Sequence, residues 1–136
     1  MIDLLPLCSV IRFPFDFRDG NGIELKRFIV AGHVNSSAIL IKTTSRVEYY
    51  RAQPDILPGV IECSAGEFGP FELDTIIDPA NAFAVPHENL KRFHRACTLD
   101  HMGTVPELRE LLIVAIGNNK KIGQAIKAGL LQCLQV

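Results

Sequence analysis

Two short runs of cationic and hydroxyl side chains stand at the ends of neighbouring apolar segments. Lys26 and Arg27 precede one segment, and Thr43, Thr44, Ser45 and Arg46 end the next. An arginine fork pairs with two phosphate oxygens and cannot be titrated away. Serine and threonine hydroxyls are donors to such oxygens. The pattern predicts a phosphodiester site in which Arg27 and Thr44 lie side by side at one cleft.

RNA cleavage without a metal ion makes defined demands on such a site. The ribose 2′-OH must lose a proton as it attacks phosphorus, the dianionic phosphorane must be neutralised, and the leaving 5′-oxygen must gain a proton. Glu24, Lys26 and His33 are near Arg27 in the chain and are candidate proton-transfer groups. The structural alternative is an exposed cation followed by a Thr-rich strand end, with no chemistry at either.

The sequence indicates neither a metal ion nor a cofactor. His87 and Glu88 begin like HExxH, but the position of the second histidine is Lys91. The four cysteines lack zinc spacing and are read as reduced, mostly buried thiols. Residues 54–80 carry six acidic and no basic side chains, without the spacing of calcium ligands. This acid-rich segment is a solvated face or, alternatively, a rim that docks a partner or a second subunit.

Short β-branched segments separated by turn residues predict an α+β fold, a small β-barrel followed by C-terminal helices. Residues 16–22 are a polar loop with two x-Gly steps. Residues 47–50 are a candidate continuation of the sheet, and residues 98–103 read as a loop. The predicted strands are 9–15, 26–34, 38–45, 60–63, 74–78 and 82–85, and the predicted helices are 87–93, one ending before Gly117, and 120–134.

The length of 136 residues predicts a single domain over 1–136. No apolar run approaches the roughly 20 residues that span a bilayer. The first residues also lack the basic start of a secretory signal. We therefore expect a soluble, cytoplasmic protein that does not enter a membrane.

The order of these segments resembles the PemK/MazF-like family of toxin endoribonucleases, found in type II toxin-antitoxin pairs. That family has a strand with a Pro-Phe bend, a Gly-rich loop, an Arg-led aliphatic strand and a strand ending in Thr-Ser. The resemblance covers about residues 8–117, so the helix within 118–136 is an addition. The corresponding stretches here are residues 12–15, 19–22, 26–30 and 43–46, followed by 74–77 and 82–85.

The resemblance implies an SH3-like barrel that forms a homodimer, cuts single-stranded RNA or mRNA without a metal ion, and is silenced by a cognate antitoxin protein. Arg27 would be the catalytic arginine, Thr44 the phosphate-holding threonine and Glu24 a proton-transfer group. The other residues implied to bind the substrate are Lys26, Ser45, Arg46, Phe15, Phe17 and Asn21.

This chain departs from the family pattern at four places. Phe28 replaces the proline that usually follows the arginine, Arg46 replaces a glutamine, and Asn81 or Ala82 stands where an arginine is common. The start of the chain also lacks the usual Arg-Gly-Asp-like opening. These departures keep a second reading open, a catalytically inactive SH3-like barrel that binds nucleic acid or a protein partner. A metal hydrolase using the histidines is a third reading.

Overall fold

Six strands form one antiparallel sheet, with helices on both of its faces. The structure, a computed structural model, describes residues 5–16 and 23–135. The sheet order is β4-β5-β3-β2-β1-β6. The elements in chain order are β1 (Ser9–Asp16), β2 (Ile23–Val34), β3 (Ser37–Thr44), α1 (Val47–Arg51), a 3-10 turn (Leu57–Gly59), β4 (Ile61–Cys63), β5 (Thr75–Pro86), α2 (His87–Arg95), β6 (Asp100–Thr104), α3 (Leu108–Asn118) and α4 (Gln124–Gln135).

The sheet curls into a half-barrel. Pro70, in the connection from β4 to β5, reaches Gly103 on the opposite edge strand β6, where an added Cβ would lie 3.8 Å from the proline ring. The fold class is therefore α+β, as expected. None of the helices among the described residues is long and apolar enough to cross a membrane.

Strand alternation sorts the apolar side chains onto two faces. The inner face, which includes Val10, Ile29, Ile41 and Ile77, packs against α3 and α4. The outer face is covered by α2 and is lined by Ile11, Phe13, Phe28, Val30 and Leu40. Both faces are fully buried near the middle of β2, which explains why its residues are apolar on both sides.

Three sequence predictions about the elements were wrong. Residues 47–50 belong to helix α1, and residues 100–104 form the edge strand β6 instead of a loop. The two strands predicted over 74–85 are one strand, β5, with an irregularity where Ile41 of β3 pairs with Ala82 and Thr43 pairs with Ile77. Residue propensities predict two strands here because Pro79 cannot donate a ladder hydrogen bond and therefore signals a strand end. In the structure, β5 pairs with β3 both before and after this proline.

Helix α4 packs against the inner face of the sheet and touches β2 at a glycine. A Cβ built on Gly32 would lie 2.6 Å from the Cβ of Cys133. Any side chain at position 32 would push α4 off the sheet, so glycine permits the contact. Leu130 and Leu134 of α4 are buried in the same core. The C-terminal helix is therefore an integral part of the barrel core.

Thiol reactivity should follow burial. Cys97 is exposed, whereas burial raises the pKa of Cys8 to about 11 and that of Cys63 to about 12 from an ordinary value near 9. We expect a thiol reagent at pH 8 to modify Cys97 rapidly and to reach Cys8 and Cys63 only after unfolding, because the thiolate is the nucleophile. Mass spectrometry of the labelled protein before and after addition of denaturant measures this.

In the Cys97→Ser variant the rapid phase from that thiol should vanish. The two buried thiols contribute their full stabilisation below pH 9, where the thiols of the unfolded chain are also protonated. This contribution to the free energy of unfolding is lost as the pH rises through 11 to 12. Rapid labelling of Cys8 or Cys63 in the native protein would contradict this assignment.

Candidate phosphate-binding site

Four polar residues lie in a row across the inner face of the sheet. β1 and β2 pair with Arg12 directly opposite Arg27, and β6 places Asp100 opposite Arg12. On the other side of Arg27, the Thr43 hydroxyl donates a hydrogen bond to the Arg27 carbonyl oxygen at 3.1 Å. We call Asp100, Arg12, Arg27 and Thr43 the arginine row. Adjacent strands are about 4.8 Å apart, so the row spans about 15 Å.

The row carries two positive charges and one negative charge. Asp100 accepts a hydrogen bond from Arg12 Nη2 at 2.9 Å, and the side chains of this ion pair are 33% and 53% exposed. Arg27 is half-buried and has no ion-pair partner among the described residues. Like charges directly opposite each other on paired strands are destabilising. One positive charge of the row is therefore uncompensated.

Both guanidinium groups also contain an unsatisfied donor. The Nε atoms of Arg12 and Arg27 are shielded from water and have no hydrogen-bond partner among residues 5–16 and 23–135. A buried donor without a partner costs about 1–3 kcal/mol. An oxyanion that binds the terminal nitrogens of the two arginines would neutralise the uncompensated charge. The row has the chemistry of an anion site.

The predicted pairing of Arg27 with Thr44 is not the one that the strands make. β3 pairs Thr44 with Ile76, whose side chain packs on the outer face against α1. Strand alternation places Arg27 on the inner face with Ile29. The Thr44 hydroxyl accepts the Arg46 backbone N–H at 3.1 Å, at the entry to α1. Thr43 is the threonine of the arginine row.

The other predicted substrate-binding residues are dispersed. Lys26 is exposed and lies opposite Phe13, which places it on the outer face. Ser45 and Arg46 are exposed at the start of α1, where the Arg46 guanidinium lies 6.0 Å from the centre of the Tyr49 ring. The backbones of Phe15 and Glu24 pair in the β1–β2 hairpin. Phe17 and Asn21 lie outside the described residues.

His33 is at the other end of β2 from Arg27, about 20 Å along the strand. Its Nε2 donates to the Leu5 carbonyl at 2.9 Å, and its Nδ1 lies 2.9 Å from His87 Nε2. This pair holds the residues before β1 to β2 and α2. In the described part of the chain, no three His, Cys, Asp or Glu side chains are grouped so that they can hold a metal ion.

The acid-rich segment is partly neutralised within the chain. Arg51 forms ion pairs with Glu48 and Glu62 at 3.0 Å and with Asp74 at 3.7 Å. The hydrogen bond from Arg51 holds the pKa of Glu62 below its ordinary value. Asp78 differs from its acidic neighbours because it is buried and bonded to Tyr50 and Asn119.

Sequence reasoning missed Arg12 and Asp100. Arg12 was visible as one charge in the otherwise apolar run of residues 10–15, two positions after the inward-facing Val10. Asp100 was missed because residues 98–103 were read as a loop.

A comparison with protein-family models finds none that matches the chain, and a comparison with curated proteins finds no sequence that matches it. The resemblance to the PemK/MazF-like family therefore depends on the order of short sequence motifs alone.

Proposed function

We propose that the chain is a metal-independent endoribonuclease that cuts single-stranded RNA at the arginine row. The observation that carries the proposal is the Arg12–Arg27 pair, two arginines at directly opposed strand positions whose one counter-charge, Asp100, pairs with Arg12. Such a pair stabilises a dianionic phosphorane better than a singly charged ground state, which is the requirement for catalysis.

Each residue of the row has a defined task in this mechanism. Arg27 binds two phosphate oxygens through its fork, and Arg12, oriented by Asp100, neutralises the charge that develops on phosphorus. Thr43 fixes β3 to β2 beside Arg27. The 2′-oxygen displaces the 5′-oxygen, which gives a cyclic phosphate and a 5′-hydroxyl. Water takes up the proton that the 2′-OH loses and protonates the leaving 5′-oxygen.

The proposal also includes the oligomeric state, the cellular target and the inhibitor of the protein. The PemK/MazF-like resemblance implies an SH3-like barrel that acts on mRNA in the cytoplasm as a homodimer. It also implies a cognate antitoxin protein that silences this barrel. Support comes from the β1–β2 hairpin, the strand order of the half-barrel and the arginine within β2. Expression of the chain alone in a bacterium should stop growth, and coexpression of a neighbouring small acidic protein should restore it.

The purified protein should cleave a long unstructured RNA in excess EDTA, because no step requires a metal ion. The products should carry 2′,3′-cyclic phosphate and 5′-hydroxyl ends, which mass spectrometry of short fragments identifies. A matched substrate with 2′-O-methyl ribose is the control and should remain intact. Cleavage that EDTA abolishes, or products with a 5′-phosphate, would contradict the proposed chemistry.

A non-catalytic RNA-binding barrel is the second candidate, favoured by the position of Thr44 on the face opposite to Arg27. It predicts saturable binding that weakens with salt and leaves the RNA intact. Binding without a cut product in the assay above would select this candidate.

A further inference from the structure

A cleft of about 400 Å³ lies between one edge of β1 and the end of α2. β6 stops at Asp100, opposite Arg12, so the part of β1 beyond Arg12 has β2 as its one partner among the described strands. Two of the residues that line the cleft are close in sequence to the Arg12–Asp100 ion pair, Pro14 to Arg12 and Thr98 to Asp100. The cleft therefore lies at the open edge of β1, and a nucleic-acid strand that occupies both it and the arginine row passes over that edge from the outer to the inner face. Its lining residues are Pro14, Asn89, Arg92, Phe93, Ala96 and Thr98.

The lining combines a cation, an aromatic ring and an amide. Arg92 and Asn89 are exposed, and their side chains have no hydrogen-bond partner among the described residues. Phe93 is half-buried, and its ring packs on Phe13 with 4.9 Å between centroids. Thr98 donates to the Phe93 carbonyl oxygen at 3.1 Å, which fixes the turn that forms one wall.

These three groups match the parts of a nucleotide. Proteins that bind single strands combine cations along the phosphate backbone with aromatic side chains that stack on bases. An exposed amide can donate to and accept from a base edge. Pro14 is two residues from Arg12, so the cleft lies about 7 Å farther along the same strand.

We infer that this cleft is a nucleotide subsite for the residue adjacent to the phosphodiester held at the arginine row. Arg92 binds its phosphate, Phe93 contacts its base and Asn89 contacts the edge of that base. The inference rests on the proposed function, because it assumes that single-stranded nucleic acid occupies the row. It adds a second contact region on α2.

Helix α2 supplies a matched control. Basic residues in the last turn of a helix also stabilise it through the helix dipole, and this holds without any ligand. Lys91 is exposed on the same helix but does not line the cleft. Lys91→Glu and Arg92→Glu therefore change the charge of the protein equally and differ in access to the cleft.

The test uses oligodeoxyuridylates of two to eight nucleotides, which lack the 2′-OH and are not cut. Fluorescence anisotropy gives their dissociation constants for the wild type and the two variants. We expect Arg92→Glu to weaken binding of the longer oligonucleotides about tenfold or more and to lower the salt slope by at least about 0.7. We expect the shortest oligonucleotide to bind both variants equally, and Lys91→Glu to stay close to the wild type throughout.

Each outcome decides a separate statement. If the wild type binds or cleaves nucleic acid and both variants weaken binding equally, the subsite is overturned and the proposed function stands. If the wild type neither binds nor cleaves any nucleic acid, the proposed function fails and the subsite fails with it. If Arg92 is needed for binding to anionic lipid vesicles and not to oligonucleotides, the cleft belongs to a membrane-facing surface and the inference is wrong.

Discussion

Replacing Arg27 with alanine should reduce the rate of RNA cleavage by about 10²- to 10³-fold, the usual cost of removing one preorganised donor to a developing anion. Arg27 is the member of the arginine row that has no counter-charge in the described structure, and a scissile phosphate bound at the row would supply one. Initial rates on an unstructured RNA in EDTA, measured below saturation, give the effect directly.

We expect Arg27→Ala to lose activity without losing stability. Removal of one of two opposed like charges relieves repulsion, so the urea midpoint of Arg27→Ala should be equal to or higher than that of the wild type. Arg27→Lys keeps the charge and loses the planar fork, and should retain an intermediate rate. Lys120→Ala, an exposed cation away from the row, is the control. Wild-type cleavage by Arg27→Ala would remove the row from the mechanism.

The second large effect concerns stability, at the buried carboxylate of Asp78. This group accepts hydrogen bonds from the Tyr50 hydroxyl at 3.0 Å, the Asn119 amide at 3.2 Å and the Ala80 N–H at 2.9 Å. Asp78→Ala would remove the acceptor of the buried Tyr50 hydroxyl, one of the two acceptors of the Asn119 amide nitrogen, and the acceptor of the half-buried Ala80 N–H. We expect a loss of about 3 kcal/mol in the free energy of unfolding, measured by urea denaturation.

Tyr50→Phe is the graded comparison, because it removes one donor and leaves the carboxylate bonded on its other side. We expect it to cost about 1 kcal/mol, and the double variant to lose less than the sum of the two single losses. Glu72→Ala, at an exposed acidic position of the same segment, should have no measurable effect. Equal losses for Asp78→Ala and Glu72→Ala would contradict the role of this network.

The same network makes stability depend on alkaline pH. Burial, followed by the charge and the hydrogen bond of Asp78, raises the pKa of Tyr50 to about 12. The contribution of Tyr50 to the free energy of unfolding is fully present below pH 10, where the tyrosine of the unfolded chain is also neutral. It is lost as the pH rises toward 12.

The register of the β1–β2 hairpin was only partly available from the sequence. Its two x-Gly steps, Asp19-Gly20 and Asn21-Gly22, predict pairs whose residue numbers sum to 39 or to 43, and the observed pairs sum to 39. Arg12 and Arg27 satisfy that sum. Strand alternation then places both guanidinium groups on one face. To predict that Arg12 lies opposite Arg27, this hairpin register is needed in addition to the motif that identified Arg27.

Other parts of the site depended on tertiary contacts that local patterns do not reveal. Asp100 belongs to a five-residue strand with Gly103 at a φ of 137°, and nothing in its composition indicates pairing with β1. Thr43 and Thr44 are chemically equivalent in sequence. Only the pairing of β3 with β2 and β5 decides which of the two faces Arg27.

The close approach of Gly32 and Cys133 sets a practical limit on how the chain can be handled. The last turns of α4 pack against β2 and bury Leu134. Truncation at residue 117, the end of the resemblance to the toxin family, would therefore remove a helix that packs on the core. An affinity tag belongs beyond Gln135 with a spacer, and a fragment ending near residue 117 is a poor reagent for assaying activity.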